Sequence, residues 1–271
     1  MKTLRLFCPL VLLLTLTLPI LNAACVTRRD ETVQWSQAVI DQQLLTLLER
    51  GWGRDDDTTV VDEVRELHTK HHASIHAHNA HKKSALHIAI AGNHIAVAEY
   101  LIASGAAVDT VDDENNTLLH ATVVASSRYN KDSERLPLVD MLLTAGAPLD
   151  TINKQGRTAL HLAISHKMIY LARRLLEAGA HANTMDKQGK TLIHLAMDCD
   201  LYELIKRLIK AGVNINALDG GKILEDGTVV EHSKTMLDRL YPGRTSGSKL
   251  FEWLRSCGAQ YAHEIDLEAI D

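Results

Sequence analysis

The sequence predicts an all-α repeat fold, a stack of helix-turn-helix units, and three observations predict it. The first is a tetrapeptide that returns four times: Ser84-Ala85-Leu86-His87, Thr117-Leu118-Leu119-His120, Thr158-Ala159-Leu160-His161 and Thr191-Leu192-Ile193-His194. His87 to His120 is 33 residues and so is His161 to His194, whereas His120 to His161 is 41, the same period with an insertion of 8. The second is a glycine at a fixed distance beyond each His: Gly105, Gly146, Gly179 and Gly212, each followed by Ala or Val. His to Gly is 18 residues in three units and 26 in the second, so the insertion lies inside that unit, within Val123 to Pro137. The third is composition. With 46% hydrophobic but only 4% aromatic residues, the 271-residue chain suits helices packed on Leu, Ile and Ala better than a sandwich packed on large rings.

Four tetrapeptides in register with four glycines resemble the ankyrin repeat, whose period is about 33 residues and whose signature begins Thr-Pro-Leu-His. The resemblance covers about residues 79 to 260 and implies an ankyrin-repeat solenoid of helix-turn-helix units with short hairpin fingers. Its units run over about 79–111, 112–152, 153–185, 186–218 and 219–260. The hydroxyl residue starts each inner helix, the Leu points into the stack, and Ala89, Ala163 and Ala196 let neighbouring helices approach. In the second helices, Val97, Leu101 and Ile102, then Leu171, Leu175 and Leu176, then Leu204, Leu208 and Ile209 follow the spacing of one apolar face. Asn93 and Asp200 fall at the inner turn, where both types tolerate left-handed backbone, and each later Gly suits the residue that stops a helix. The fifth unit is degenerate. It runs from Thr235-Met236-Leu237-Asp238 through Leu250, Trp253 and Leu254 to Cys257-Gly258-Ala259, after a finger with about 11 extra residues that include Gly220, Gly221 and Gly227. Ahead of the repeats, 35–51 is expected as a worn N-terminal cap repeat and 52–78 as a His-rich insertion. A tail, 261–271, follows.

The first 24 residues read as a secretory signal. Lys2 and Arg5 precede an apolar run, Leu6 to Leu21, and the small residues Ala23 and Ala24 follow. Pro9 and Pro19, with a length below the roughly 20 residues that span a bilayer, weigh against a membrane anchor. Cys25 after Asn22-Ala23-Ala24 resembles a bacterial lipobox, although the usual Leu three positions before the Cys is Asn22 here. Lipidation of Cys25 would tether the chain without spanning the membrane; ordinary cleavage after Ala23 or Ala24 would leave a soluble periplasmic protein. A linker, 25–34, separates this segment from the cap. Cys199 and Cys257 belong to different ends of helices in neighbouring units, so no bridge between them is expected.

Net charge is −5, or −7 without Lys2 and Arg5. A nucleic-acid partner is not expected, because releasing phosphate counterions needs a cationic face. By the ankyrin resemblance His87, His120, His161 and His194 are structural, tying the loops of adjacent repeats through backbone hydrogen bonds. His68, His72 and His76 stand at i, i+4 and i+8, so a helix there would line up three imidazoles able to bind zinc, copper or nickel. The alternative is a polar, flexible insertion, since no Cys or acidic ligand completes a metal pattern. No metal or other cofactor is expected. No Gly-x-Ser-x-Gly elbow, His-Glu-x-x-His or P-loop occurs, and Gly220-Gly221-Lys222 reads as a turn. The expectation is a non-catalytic binder.

The finger tips set the expected contact surface: Val111, Asp113 and Glu114; Ile152, Lys154 and Gln155; Met185, Lys187 and Gln188. An apolar line flanked by charge resembles the centre and rim of a protein interface. The insertion around Ser126 to Arg135, at the opposite edge, is a second candidate surface. The combination of leader, lipobox and repeats looks like ankyrin-type lipoproteins that serve as immunity proteins against an antibacterial phospholipase delivered by a type VI secretion system. That resemblance implies a secreted lipase toxin as partner, with a periplasmic scaffold for an envelope enzyme or a His-rich metal carrier as alternatives.

Overall fold

The computed structural model describes residues 36–49, 57–129, 132–217 and 252–260. The leader, Cys25, the 25–34 linker, Gly220, Gly221, Gly227, the Thr235 to Asp238 motif and the 261–271 tail lie outside the described residues.

Helices come in pairs: α1 (Gln37–Glu49) with α2 (Asp57–His71), α3 (Ala85–Gly92) with α4 (Ile95–Ala103), α5 (Leu118–Tyr129) with α6 (Leu136–Thr144), α7 (Ala159–Ser165) with α8 (Ile169–Glu177), and α9 (Leu192–Asp198) with α10 (Tyr202–Lys210). The first members stack as an inner layer, α1 on α3, α3 on α5, α5 on α7 and α7 on α9. Outside it, α2 packs on α4, α6 on α8 and α8 on α10. Residues 85–90, 159–164 and 192–197 are all buried, so the inner helices are enclosed on nearly every side. The outer helices bury one stripe each: Val97, Ala98 and Leu101; Leu138, Val139 and Leu142; Leu171, Ala172 and Leu175; Leu204, Ile205 and Leu208. The third buried position is therefore the residue after the first, while Ile102, Leu176 and Ile209, expected there, are only half-buried at the stripe's edge.

Two expectations at the N-terminal end are corrected. The 52–78 segment is not an insertion in its described part: 57–71 is helical and packs on both α1 and α4. Val60 and Val64 are fully buried and Leu67 packs beside them, an i, i+4, i+7 stripe that the surrounding polar residues obscure in the sequence. The cap at 35–51 is accordingly one half of a complete helix pair. At the other end, residues 252–256 are helical and Leu254 is fully buried. The Ala259 N–H donates to the Leu254 carbonyl at 3.0 Å, the bond that also closes the outer helices at Ala106, Ala147, Ala180 and Val213. The glycines just before these five residues all have φ between 81° and 92°, the left-handed stop expected of them. Asn93 and Asp200 likewise turn left-handed, at φ 67° and 59°, and Lys167 does the same in the third unit.

The repeat histidines are joints. Ser84 and Thr158 cap α3 and α7 through their side chains, with His87 and His161 completing a capping box. Nδ1 of His87, His120 and His161 accepts the N–H of Ser84, Thr117 and Thr158 at 3.4, 3.2 and 3.2 Å. An accepting Nδ1 requires the neutral ring with its proton on Nε2. That proton points onward: His87 Nε2 donates to the Asn116 carbonyl at 3.3 Å and His120 Nε2 to the Arg157 carbonyl at 2.9 Å, each in the next finger. His161 Nε2 is buried without a well-aligned acceptor. His194 Nδ1 meets the Thr191 hydroxyl at 2.7 Å.

The eight extra residues of the second unit form a clasp. They lengthen α5 to 12 residues, against 8 in α3 and 7 in α7, and add a 3-10 turn, Ser133–Arg135. Arg135 is wholly buried and its Nη1 donates to the Ile90 carbonyl at 2.8 Å, near the C-terminal end of α3 in the preceding unit. The Asp132 carboxylate accepts the N–H groups of Tyr170 and Leu171 at 2.8 and 2.9 Å, at the start of α8 in the following unit. A carboxylate on the first free N–H groups of a helix caps it and meets the positive end of its dipole.

Acid should loosen the joints. Burial holds the pKa of His87, His120 and His161 below the ordinary imidazole value of 6.5, that of His161 down to about 4. Between pH 6.5 and about 4 the unfolded chain binds a proton at His161 that the folded chain refuses, so stability is full above the upper value and is lost as pH falls toward the lower. That single site is worth on the order of 3 kcal/mol, and a series of urea titrations from pH 7.5 to 4.5 should show the loss, reduced in His161→Asn. The clasp has its own signature. Asp132→Ala should cost about 1 kcal/mol, and Arg135→Ala about 3 kcal/mol or more, through loss of a buried charge-assisted bond and its packing. Ser133→Ala, at an exposed position, should stay within about 0.5 kcal/mol; equal effects of all three in chemical denaturation would remove the clasp.

Candidate protein-binding surface

Between outer helix and next inner helix the chain forms a finger, and four fingers are described, at 77–84, 110–117, 151–158 and 184–191. Isolated antiparallel bridges close three of them, His78 to Ser84, Val111 to Thr117 and Met185 to Thr191. Each finger is organised from within by an Asn or Asp eight residues before the repeat His: Asn79, Asp112, Asn153 and Asp186. In every case Oδ1 accepts two backbone N–H groups, two and four residues ahead, at 2.8 to 3.1 Å. Three of them, Asp112, Asn153 and Asp186, are buried. The sequence signal for this organising role is the constant offset from the repeat His.

The fingers also hold one another. The Asp113 N–H donates to the His81 carbonyl, Lys154 to Glu114 and Lys187 to Gln155, at 3.1, 3.0 and 3.2 Å. A Cβ on Gly156, at φ 74°, would lie 2.8 Å from the Lys187 nitrogen, so the third finger needs glycine both for its turn and for the approach of the fourth. Side chains repeat the connection. His81 faces Asp113 at 3.2 Å, Lys154 faces Glu114 at 3.4 Å, and Arg157 Nε donates to the buried Asp186 carboxylate at 3.1 Å. The exposed pairs are worth little, whereas the Arg157 to Asp186 bond, with one partner out of water, is the stronger link.

The nine expected contact residues sit on this edge but differ in what they offer. Val111 is half-buried in its bridge, Asp113 is half-buried against His81, and Glu114 is exposed, 3.4 Å from the Lys154 ammonium. Gln155, Lys187 and Gln188 are exposed. Ile152 and Met185 stand out, at 51% and 52% exposure. Opposite, at the insertion edge, Ile169 and Tyr170 are exposed at the start of α8, but the clasp residues Asp132 and Arg135 face inward, into neighbouring units.

The three aligned imidazoles are not formed. α2 ends at His71, and His72 turns left-handed at φ 58°, so the i, i+4, i+8 face stops after His68. His68 Nδ1 is hydrogen-bonded to the Tyr100 hydroxyl at 2.9 Å, with its ring edge-on to Tyr100 and the Arg65 guanidinium 5.5 Å from that ring's centre. His76 lies exposed in the turn before the first finger. Among the described residues no three His, Cys, Asp or Glu side chains converge as a metal site, and no helix is long and apolar enough to cross a membrane. Cys199 is half-buried and Cys257 exposed, both as free thiols.

Comparison with known families places this architecture. Residues 81–113 match the ankyrin repeat model, and residues 123–219 match a model of three consecutive ankyrin repeats. No curated protein matched the chain. The helix pair before residue 81 and the helical turn after residue 219 extend the stack beyond the matched ranges. The fold is an all-α ankyrin-repeat solenoid, a scaffold associated with protein–protein binding.

Proposed function

We propose that this chain is an exported, non-catalytic ankyrin-repeat protein, held in the periplasm by a lipid on Cys25, that serves as an immunity protein by binding an antibacterial phospholipase effector. The observation that carries the binding role is the pair of exposed apolar side chains, Ile152 and Met185, at equivalent places on adjacent fingers. Neither is needed by the core, and both stand on a ladder of fingers already fixed by hydrogen bonds. Such an edge has little conformational freedom to lose on association. A non-catalytic role is supported by the repeat histidines, which are buried and committed to the joints. Export and the anchor rest on the order of charge, apolar run and small residues before Cys25. A binder tethered at the membrane stands where a phospholipase attacks, which favours the immunity reading over a free periplasmic scaffold.

Pull-down with the tagged chain, residues 26–271, from the envelope and secreted proteins of its own organism should recover a stoichiometric lipase whose activity falls on binding. Recovery of a housekeeping envelope enzyme at full activity would overturn the immunity role. On the same partner, Ile152→Ser with Met185→Ser should weaken affinity at least about tenfold, the size expected for apolar anchors at an interface centre, with an unchanged thermal midpoint. Full affinity in that double variant would move the binding surface elsewhere.

A further inference from the structure

We propose that the partner element seated on the third and fourth fingers is an acidic protein segment that presents apolar side chains to Ile152 and Met185. This rests on the finger edge being the binding surface, as proposed above.

Charge argues it. The chain as a whole carries −5, yet fingers 151–158 and 184–191 hold Lys154, Arg157, Lys187 and Lys190 with one acid, Asp186. Two of those cations are committed within the fold: Arg157 to buried Asp186 at 3.1 Å, and Lys190 to Asp198 at 2.8 Å. Lys154 and Lys187 are not held in that way. Lys154 reaches Glu114 only at 3.4 Å with both side chains about 60% exposed, and Lys187 makes no ion pair among the described residues. A pair so exposed is nearly free to exchange partners.

Register argues it as well. Lys154 follows Ile152 by two residues and Lys187 follows Met185 by two. Each finger thus offers the same two elements in the same order, an apolar side chain and an ammonium group. The two sets stand one repeat apart, roughly the 8–10 Å between packed helices, close enough for one segment to meet both. A basic segment would face two exposed cations, against the one exposed carboxylate, Glu114, that pairs with Lys154. An uncharged segment would bury the apolar pair but leave both ammonium groups without a counter-charge at the rim.

The test is a randomised peptide library displayed on phage and panned on the full chain. The expected result is enrichment of peptides combining apolar residues with an excess of Asp and Glu, whose affinity falls at least tenfold in both Ile152→Ser with Met185→Ser and Lys154→Glu with Lys187→Glu. Binding should also weaken from low salt to 0.5 M salt. Enriched peptides that are basic or neutral, or that fail with the Ser pair yet bind the Glu pair undiminished, would overturn the acidic partner and leave the finger edge as the docking site. Peptides indifferent to both pairs, or no enrichment at all, would overturn the finger edge too. Circular dichroism and the thermal midpoint of each variant, both expected to match the parent because all four positions are exposed, separate loss of binding from loss of fold.

Discussion

Everything in this molecule depends on the fact that its inner helices cannot exist alone. At seven or eight residues α3, α7 and α9 are far below the length at which an isolated helix persists in water, and their buried residues face neighbours on both sides. α3 lies between α1 and α5, and α7 between α5 and α9, so each is stable because another helix covers each flank. The ends of the stack therefore need covering as much as its middle does. That demand explains the complete helix pair α1 and α2, and it explains why the short turn at 252–256, with Leu254 buried, docks with the same closing bond as the units before it.

Stacking alone would leave units free to slide, and the polar joints set the register. A neutral imidazole has one acceptor and one donor on opposite sides of its ring. The repeat histidine spends the first on its own helix start and, in His87 and His120, the second on the next finger. Because each finger's own backbone donors are taken up by its Asn or Asp, the finger presents a fixed carbonyl for that second bond. The edge that would meet a partner is thereby rigid for the same reason that the solenoid is straight in register. The clasp from Asp132 and Arg135 works on the other edge, across three units, and compensates for the interruption that the insertion introduces between α5 and α6.

How much of this was readable beforehand divides along a physical line. The joints at His87 and His120, the glycine stops and the left-handed inner turns at Asn93 and Asp200 were legible because each follows from a residue type at a fixed offset, and local stereochemistry decides it. Helix α2 was not, since six histidines in 14 residues draw attention from the Val60, Val64 and Leu67 stripe just before them. The same density suggested aligned imidazoles, a feature that needed the helix to continue five residues further than it does. Arg135 could not be foreseen at all. An arginine in a polar insertion reads as solvated, and only the packing of three units turns it inward. The organising role of Asp112, Asn153 and Asp186 lay in plain view, but a turn-forming Asn or Asp and a solvated one have the same spelling.

The residues that set the stack and those that would set the partner are physically separate. Replacing His120 or Leu160 touches joints or core shared with a neighbouring unit, so their identity is dictated by the fold. Ile152, Lys154, Met185 and Lys187 are all exposed, and Lys154 makes only an exposed pair, so the stack places almost no demand on them. Effects at sites without shared partners are close to additive, which means that binding can be altered at the fingers without cost to folding. For the same reason the rules that reveal the solenoid carry no information about what it holds: on the binding surface proposed above, that information would lie in side chains the fold leaves unconstrained, and the apolar and cationic character shared by the two fingers is its legible part.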